Sequence, residues 1–349
     1  MEKYYGEEIE KDTAYRREYL DGIECFIEEA FSKAKGKRSG FITPEKYAAD
    51  PEFFRSRLRE MFGFPISGNA IETPMLVGKN FVAQDGNVSI FRMQLCFFGK
   101  LKVYGIYFEQ KDRNSETPFL LGLHGGEGTP ELVSSIHMNS ANYNHLVRRI
   151  TDRGADVFVP QLLLWNLDHY GGKKYERDKI DGALRQLGGS ITALELYFLS
   201  GCISYFIENE GANKDRIGVA GLSYGGMYAL HLAAVDTRIK ACFSCSWFHS
   251  LSRVVRSDWS YFRAAETFFA AEVAALVAPR ALCVGMGSAD ELFSAEDTLK
   301  EAERVKPYYA AVGAEDNFLA YVFDGKHETD KSDRGIDFLF EHLNRTNGI

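Results

Sequence analysis

The sequence predicts an α/β fold in which a mostly parallel, doubly wound sheet of about eight strands follows an N-terminal helical extension. From residue 118 onward, short apolar runs alternate with helical segments. Strands that are buried on both faces have such continuous apolar sequences, which is typical of a parallel sheet covered by helices. The apolar runs are PFLLGLHGG, ADVFVPQLLL, RIGVAGLSYGG, IKACFSCSW, RALCVGMGSAD and FLAYVFDGKHE.

Residues 1–73 are predicted to form a helical extension packed on a main domain that spans residues 74–349. The apolar residues that recur there at helical spacing are Phe53, Phe54, Leu58 and Met61. The pattern then changes to a period of two in NVSIFRMQL and LKVYGIYFEQ, which predicts an antiparallel hairpin at the edge of the sheet. Residues 247–276 are a candidate for a small helical cap over the pocket.

Composition and charge exclude several classes of partner. The 349 residues carry a formal net charge of −8 without a run of lysines or arginines, so no nucleic-acid partner is expected. The start, MEKYYGEEIEKD, lacks the apolar stretch of a signal peptide, and no segment has the run of about 18 apolar residues that a membrane span needs. We therefore expect a cytoplasmic protein without membrane contact.

The C-x-x-C of Cys242 and Cys245 has no second ligand pair, which favours core packing over a zinc or redox site.

The segment GVAGLSYGGMYAL contains a G-x-S-x-G pattern between a predicted strand and a predicted helix. Such a nucleophile elbow holds its serine, here Ser223, in a strained conformation. Only very small residues fit at the position two residues before the serine and at the position two residues after it. Gly221 and Gly225 occupy those positions. The following helix points its N-terminal N–H groups at developing negative charge. We interpret Ser223 as a nucleophile; the alternative is a plain glycine-rich turn.

A second glycine-rich stretch, LHGGEG, follows the first strand of the predicted parallel sheet. Attack on a carbonyl creates an oxyanion that needs two N–H donors, one from the residue after the nucleophile and one from a loop after an earlier strand. Tyr224 is the candidate for the first donor. The candidates for the second are Gly125, Gly126 and Glu127. His124 is expected to brace this loop, and a phosphate-binding loop is disfavoured because the sequence has neither G-x-x-x-x-G-K-[ST] nor G-x-G-x-x-G.

Two later strand ends supply the partners that a serine nucleophile needs. Serine is unreactive at its own pKa, so a histidine must take its proton while a carboxylate orients and stabilises that histidine. Asp290 follows one late predicted strand, and His327 follows the final one. The chain order Ser223, Asp290, His327 is the order of an α/β-hydrolase. The competitors of Asp290 for the role of the acid are Glu291, Asp324 and Asp258.

These motifs resemble the α/β-hydrolase superfamily over roughly residues 75–345. Within it, the chain is similar to the dienelactone hydrolase and acetyl xylan esterase-like branch, in which D-R-I-G, the serine elbow, A-x-D-x-R-I-K-A and A-P-R-A-L recur in that order. Apart from the elbow, these motifs stand here at residues 215–218, 234–241 and 278–282. The resemblance implies the α/β-hydrolase fold, with the elbow serine, the acid and the histidine as its triad. Dienelactone hydrolases proper have cysteine at the elbow, so lactone opening is not implied.

Motifs and resemblance together predict a serine hydrolase that cleaves carboxylic esters through an acyl-enzyme intermediate. The expected substrate is a short-chain, acetyl-like ester of a small molecule or a sugar, and no metal or organic cofactor is expected. The aromatic candidates for substrate contact are Trp165, Trp247 and Phe248, although aromatic residues at helical spacing are more often part of the core. The helical leader leaves a homo-oligomer open.

Two other functions stay open at this point. A serine peptidase of the prolyl oligopeptidase type shares the fold, the triad order and the S-Y-G-G elbow. Its large β-propeller needs far more chain than the roughly 115 residues before PFLLGLHGG provide. A non-catalytic α/β-hydrolase scaffold that binds a small molecule or a partner is the second alternative, and an intact candidate triad argues against it.

Overall fold

The computed structural model describes residues 8–66, 70–136, 142–252 and 256–345. Within these ranges, nine strands form one sheet. The strands are β1 (Met75–Asp85), β2 (Val88–Phe97), β3 (Leu101–Gln110), β4 (Phe119–Leu123), β5 (Asp156–Pro160), β6 (Ile217–Leu222), β7 (Ile239–Cys245), β8 (Ala281–Gly287) and β9 (Phe318–Phe323). Across the sheet their order is β1-β2-β3-β5-β4-β6-β7-β8-β9.

The same ranges contain twelve α-helices. They are α1 (Ile9–Phe41), α2 (Pro44–Ala49), α3 (Pro51–Phe62), α4 (Pro130–Val133), α5 (Leu146–Thr151), α6 (Leu167–Tyr170), α7 (Arg177–Gln186), α8 (Ile191–Asn209), α9 (Tyr224–Val235), α10 (Ala270–Ala275), α11 (Ala295–Ala311) and α12 (Arg334–Asn344).

The sheet has an antiparallel edge and a parallel centre. The strands β1, β2 and β3 pair antiparallel, as do β3 and β5. All neighbouring pairs from β5 to β9 are parallel. The strands β4 and β6 are buried along their whole length, which is why FLLGL and IGVAGL are continuous apolar runs. The prediction of a mostly parallel sheet with helices is confirmed.

One strand, β1, is additional to the eight runs that the sequence pattern identifies. It forms the edge of the sheet, and most of its residues are exposed. Its pairing with β2 shifts register twice, between Leu76 and Gly78 and between Phe81 and Ala83. A strand with little burial lacks the apolar alternation by which a half-buried strand is identified. The sheet therefore has nine strands where the pattern predicted about eight.

Helices cover both faces of the sheet, and each face has its own apolar core. The helices α8 and α9 contribute Leu196 and Leu230 to one core. The helices α5 and α12 contribute Val147 and Leu339 to the other. In the described part of the chain, α8 is the one helix long and apolar enough to cross a membrane, but 72% of its most apolar window is buried inside the protein. Its apolar sequence is accounted for by this packing.

The N-terminal segment has a packed part and an exposed part. The helices α2 and α3 join the core that contains α9, with Tyr47 and Leu58 fully buried. In contrast, α1 has no buried residue from position 9 to position 30, and its buried residues are Ala34 and Arg38 near the C-terminal end. The division of the chain at residue 73 into an extension and a catalytic domain stays a prediction.

The segment predicted as a cap, residues 247–276, is described except for residues 253–255. It contains 3-10 turns at Ser257–Trp259 and Ala264–Glu266, followed by α10. The C-terminal part of α1 packs against the second of these turns, with the Arg38 guanidinium donating to the carbonyl of Ala265.

Candidate active site

Ser223 stands at the turn between β6 and α9, at the carboxyl end of a central parallel strand. Its φ of 58° and ψ of −123° lie in a region that residues other than glycine rarely adopt. Its N–H donates to the carbonyl of Cys245 at 2.9 Å, which fastens the turn to β7. This conformation leaves Ser223 partly exposed, although the strand before it and the helix after it are buried.

Three glycines make the turn sterically possible. A Cβ on Gly221 would collide with the backbone of Gly225, and a Cβ on Gly225 would collide with the carbonyl of Leu123. A Cβ on Gly226 would lie 2.7 Å from the carbonyl oxygen of Cys245. The glycines of the elbow are therefore required by the close approach of α9 to β4, β6 and β7.

The structure brings His327 and Asp290 together from two neighbouring strand ends. The Nδ1 atom of His327 lies 2.8 Å from Oδ2 of Asp290, whose side chain is fully buried. The other carboxylate oxygen of Asp290 accepts the N–H groups of Leu292 and Phe293 at 2.9 and 3.0 Å. Burial opposes ionisation of Asp290, but the hydrogen bonds from His327 and the two N–H groups outweigh it and lower the pKa of the carboxyl. Asp290 is thus held as a carboxylate.

The competing carboxylates face other partners. Glu291 is exposed and pairs with Lys326 at 3.5 Å. Asp324 is exposed on the loop after β9. Asp258 is buried and pairs with Arg177 at 2.8 Å. The geometry therefore favours Asp290 as the acid.

Ser223 and His327 line the same cleft, which has a volume of about 430 Å³. Among the residues that the structure describes, the Ser223 hydroxyl has no hydrogen-bond partner, so serine and histidine are not bonded in this conformation. Catalytic hydrogen bonds are often long or unmade before substrate binds, and a serine hydroxyl can rotate about χ1. Ser223, His327 and Asp290 have the residue types and the chain order of a serine–histidine–aspartate triad.

The predicted oxyanion loop, residues 125–127, differs in one respect from the prediction. The N–H of Gly125 donates to the hydroxyl of Tyr143 at 2.7 Å, so this group is already engaged. Gly126 and Glu127 are exposed and line the cleft. Tyr224 is the first residue of α9, where a backbone N–H has no acceptor within its own helix. The candidate donors to an oxyanion are therefore the backbone N–H of Tyr224 and the backbone N–H of Gly126 or Glu127.

His124 braces this loop from inside. It is fully buried, its Nδ1 lies 2.9 Å from the carbonyl oxygen of Gly125, and its Nε2 lies 3.0 Å from the N–H of Leu162. Burial lowers the pKa of His124 to about 4, so the ring is neutral near pH 7. Because the N–H of Leu162 can only donate, Nε2 accepts and Nδ1 donates. The histidine therefore ties the loop after β4 to the loop after β5.

A buried ionic network beneath Tyr224 was not found from the sequence. Arg177 pairs with Asp258 at 2.8 Å and with Glu195 at 3.0 Å. The hydroxyl of Tyr224 donates to Asp258 at 2.9 Å, and that of Tyr228 donates to Glu195. Burial alone would lower the pKa of Arg177. Electrostatic interactions with Tyr228, Glu195 and Asp258 outweigh the effect of burial and raise this pKa. The network ties α9, which carries the elbow, to α7 and α8.

The aromatic candidates lie in places that the sequence did not predict. Trp247 and Phe248 are fully buried in the core and do not line the cleft, which corrects their assignment to substrate contact. Trp165 lines a neighbouring apolar pocket of about 510 Å³, and its ring packs at 4.6 Å against that of Tyr175 in the cleft wall. The aromatic residues that line the cleft are Tyr143, Tyr175, Tyr224, Trp259 and Phe293. Helical or alternating spacing could not identify them, because they come from five separate parts of the chain.

The sheet order, the strained turn after β6 and the constellation at the strand ends define an α/β-hydrolase fold. No family model matches the chain. In sequence the chain is similar to the "putative hydrolase" YtaP of Bacillus subtilis (strain 168), with 31% identity over 210 residues. The match covers 55% of this chain and 66% of that protein, slightly less than two thirds of the relative.

Solved structures share the fold over most of the chain. A "putative acetyl xylan esterase" from Bacteroides fragilis NCTC 9343 has a TM-score of 0.63 and 16% identity, covering 88% of this chain and 85% of that one. A glucuronoyl esterase from Solibacter usitatus has a TM-score of 0.61 and 13% identity, covering 84% and 92%. Methylesterase BT1017 has a TM-score of 0.64 and 16% identity, covering 90% and 68%. The predicted α/β-hydrolase fold is confirmed.

Proposed function

We propose that the protein is a serine hydrolase that cleaves carboxylic esters through an acyl-enzyme intermediate. The observation that carries the proposal is that a serine on a strained elbow and a histidine 2.8 Å from a buried carboxylate line one cleft. An α/β fold by itself hosts many reactions, so the site has to carry the argument. The fold neighbours named as esterases favour a carboxylic ester hydrolase among the reactions open to this site.

In the proposed reaction, the Ser223 oxygen attacks the ester carbonyl carbon while Nε2 of His327 takes the hydroxyl proton. The carbonyl oxygen becomes an oxyanion and accepts hydrogen bonds from the N–H of Tyr224 and from the loop after β4. His327 then gives its proton to the alcohol oxygen as the ester bond breaks, which leaves the acyl group on the serine. Water attacks that acyl group with His327 as the base, and the carboxylic acid and free serine are released.

The substrate that we propose is a short-chain, acetyl-like ester of a small molecule or a sugar. A cleft of about 430 Å³ suits a small ligand. Tyr175 and Phe293, the partly exposed aromatic residues of its wall, offer flat faces on which a sugar ring or an acyl chain can pack.

The test is hydrolysis of p-nitrophenyl acetate, butyrate and octanoate by the wild-type protein and by Ser223→Ala, beside an aminoacyl-proline p-nitroanilide. We expect turnover of the short esters and a loss of about 10³-fold or more in Ser223→Ala. A preference for the anilide would move the protein to the peptidases. If both proteins were inert and a fluorophosphonate probe failed to label Ser223, the proposal of a catalytic serine would fall.

A further inference from the structure

We propose that the cleft is built for esters that carry a carboxylate group, and that Arg256 is the cation that receives this group. The proposal rests on the proposed esterase function and adds a substrate class to it. Arg256 lines the cleft together with Ser223 and His327.

Arg256 is held in place by aromatic groups. Its guanidinium carbon lies 5.2 Å from the ring centroid of Trp259 and 5.6 Å from that of Tyr224. Its Nη1 donates to the hydroxyl of Tyr224 at 3.1 Å. A guanidinium that is stacked and hydrogen-bonded in this way loses less conformational freedom when it binds an anion.

The two arginines of the cleft differ in how their charge is compensated. Arg177 is neutralised by Asp258 and Glu195. In the described part of the chain, Arg256 has no carboxylate partner, although most arginines of this acidic protein do. An exposed guanidinium without a counter-ion, in the cleft that Ser223 also lines, is a group with which proteins bind planar oxyanions through paired hydrogen bonds.

The neighbouring charges favour a carboxylate close to Arg256 over a strongly anionic ligand. Glu127 lines the same cleft and is exposed, and the whole chain has a formal net charge of −8. A polyanion such as a phosphate chain would meet this negative field, whereas one carboxylate needs a single local cation. The substrate class that follows is an ester with one free carboxylate on its acyl or its alcohol part.

The experiment compares isosteric esters that differ in one charge. On the alcohol side we would measure kcat/KM for 4-acetoxybenzoate and 4-acetoxybenzamide; on the acyl side, for the p-nitrophenyl monoester of adipic acid and its terminal amide. In at least one pair we expect the anionic ester to be preferred by about 10-fold or more. In Arg256→Gln the anionic-to-neutral ratio should fall to about 1, and Arg256→Lys should keep part of the preference.

Two controls separate this proposal from the proposed function. Arg263→Gln removes an exposed arginine outside the cleft, which pairs with Glu266, and should leave the ratio unchanged. High salt should lower the wild-type ratio, because screening weakens an exposed ion contact. If neutral esters were hydrolysed by Ser223 but neither anionic ester were preferred, the role of Arg256 would be refuted while the esterase stood. If no ester were hydrolysed at all, both proposals would fall.

A separate surface carries a second proposal: we infer that the first half of α1 pairs with the same part of α1 in a second copy of this chain. The large apolar side chains exposed there are Ile9, Tyr15, Tyr19, Leu20, Ile23, Phe26 and Ile27, with exposed fractions from 37% to 74%. Most of them recur at three- and four-residue spacing and form one stripe along the helix. Together they expose roughly 800 Å² of surface, about one side of a standard protein interface.

The exposed area and the charges of α1 favour a second copy over a membrane surface. Residues 8–29 contain eight acidic and three basic residues, whereas residues 30–38 contain four basic residues and no acidic one. An acidic helix is a poor ligand for an anionic membrane, which attracts helices rich in lysine and arginine.

Light scattering after gel filtration tests the pairing. We expect the wild-type protein to have the mass of a dimer and Ile23→Glu/Ile27→Glu to have the mass of a monomer with the same helix content. Cys25→Glu is the matched control, since Cys25 is exposed and lies on the opposite side of the helix from Ile23. A monomeric wild-type protein at about 100 μM, or a dimer that the double substitution leaves intact, would overturn the inference.

Discussion

The imidazole of His327 lies 2.8 Å, Nδ1 to Oδ2, from the carboxylate of Asp290, and the second oxygen of that carboxylate is held by two backbone N–H groups. Because Oδ1 is committed to the backbone, the carboxylate cannot rotate freely, and Oδ2 is fixed as the acceptor of the Nδ1 proton. The Nε2 atom is then the one left to accept a proton from a nucleophile.

Asp290→Asn should therefore abolish most of the activity without unfolding the protein. The amide oxygen can still accept the backbone N–H groups, but the amide nitrogen would face Nδ1 and favour the wrong histidine tautomer. We expect kcat on p-nitrophenyl acetate to fall by roughly 10³ to 10⁴-fold. Glu291→Gln, which changes the adjacent exposed carboxylate, is the control and should retain activity. The reverse result would assign the acid to Glu291.

Tyr143→Phe should weaken catalysis through the oxyanion loop. The substitution removes the hydroxyl that accepts the Gly125 N–H at 2.7 Å and leaves that buried N–H unpaired. We expect kcat to fall by about 10-fold, with a smaller change in KM, because the loop would hold the transition state less rigidly. Tyr309→Phe, which removes a buried hydroxyl that donates to the carbonyl of Arg280 outside the cleft, is the control. Equal effects of the two substitutions would argue against a specific role of Tyr143.

Gly225→Ala should destabilise the elbow. The added methyl group would collide with the backbone of Leu123, which belongs to a fully buried strand and cannot move away. We expect the free energy of unfolding to fall by about 1–3 kcal/mol or more, with loss of esterase activity. Gly182→Ala is the opposite case: it lies inside α7 with no atom near its Cβ position, so the substitution should stabilise by roughly 0.5–1 kcal/mol. Urea unfolding of both variants measures the difference.

The elements that sequence reasoning predicted correctly are those with local signals. The elbow is recognised because the two glycines lie two positions from Ser223, and the strands that carry Asp290 and His327 are continuous apolar runs. The chain order placed the two residues after successive strands, and the structure shows that these strands, β8 and β9, are neighbours in the sheet. The edge strand β1 has no such signal, because its residues are mostly exposed.

The parts that could not be predicted depend on contacts between distant positions. The hydroxyl that occupies the Gly125 N–H comes from Tyr143, 18 residues later. Arg177 and Asp258 are 81 residues apart, and neither stands in a motif. The inward direction of Trp247 is set by how the chain leaves β7, and spacing along the sequence does not encode it.

His231, on α9, gives the stability of the protein a predictable pH dependence. Within the described residues neither ring nitrogen has a hydrogen-bond partner, and the ring packs 4.9 Å from that of Phe62 and 5.4 Å from that of Trp247. Burial lowers the pKa of His231 from 6.5 to about 3. Between these pH values the unfolded chain binds a proton that the folded chain excludes. Stability is therefore fully present above pH 6.5 and decreases as the pH falls towards 3.

His231→Leu should flatten this dependence. Between pH 7 and pH 5, His231 should cost the wild-type protein about 2 kcal/mol of unfolding free energy, and the leucine variant should not lose that amount. His124, whose pKa is also lowered by burial, acts in the same direction in both proteins, so the comparison isolates position 231. Urea unfolding at the two pH values measures the difference, with His145→Asn on an exposed loop as the control. If the wild type and the leucine variant lost equal stability, His231 would have to be protonated inside the folded protein, and a polar partner or a buried water would have to reach its ring.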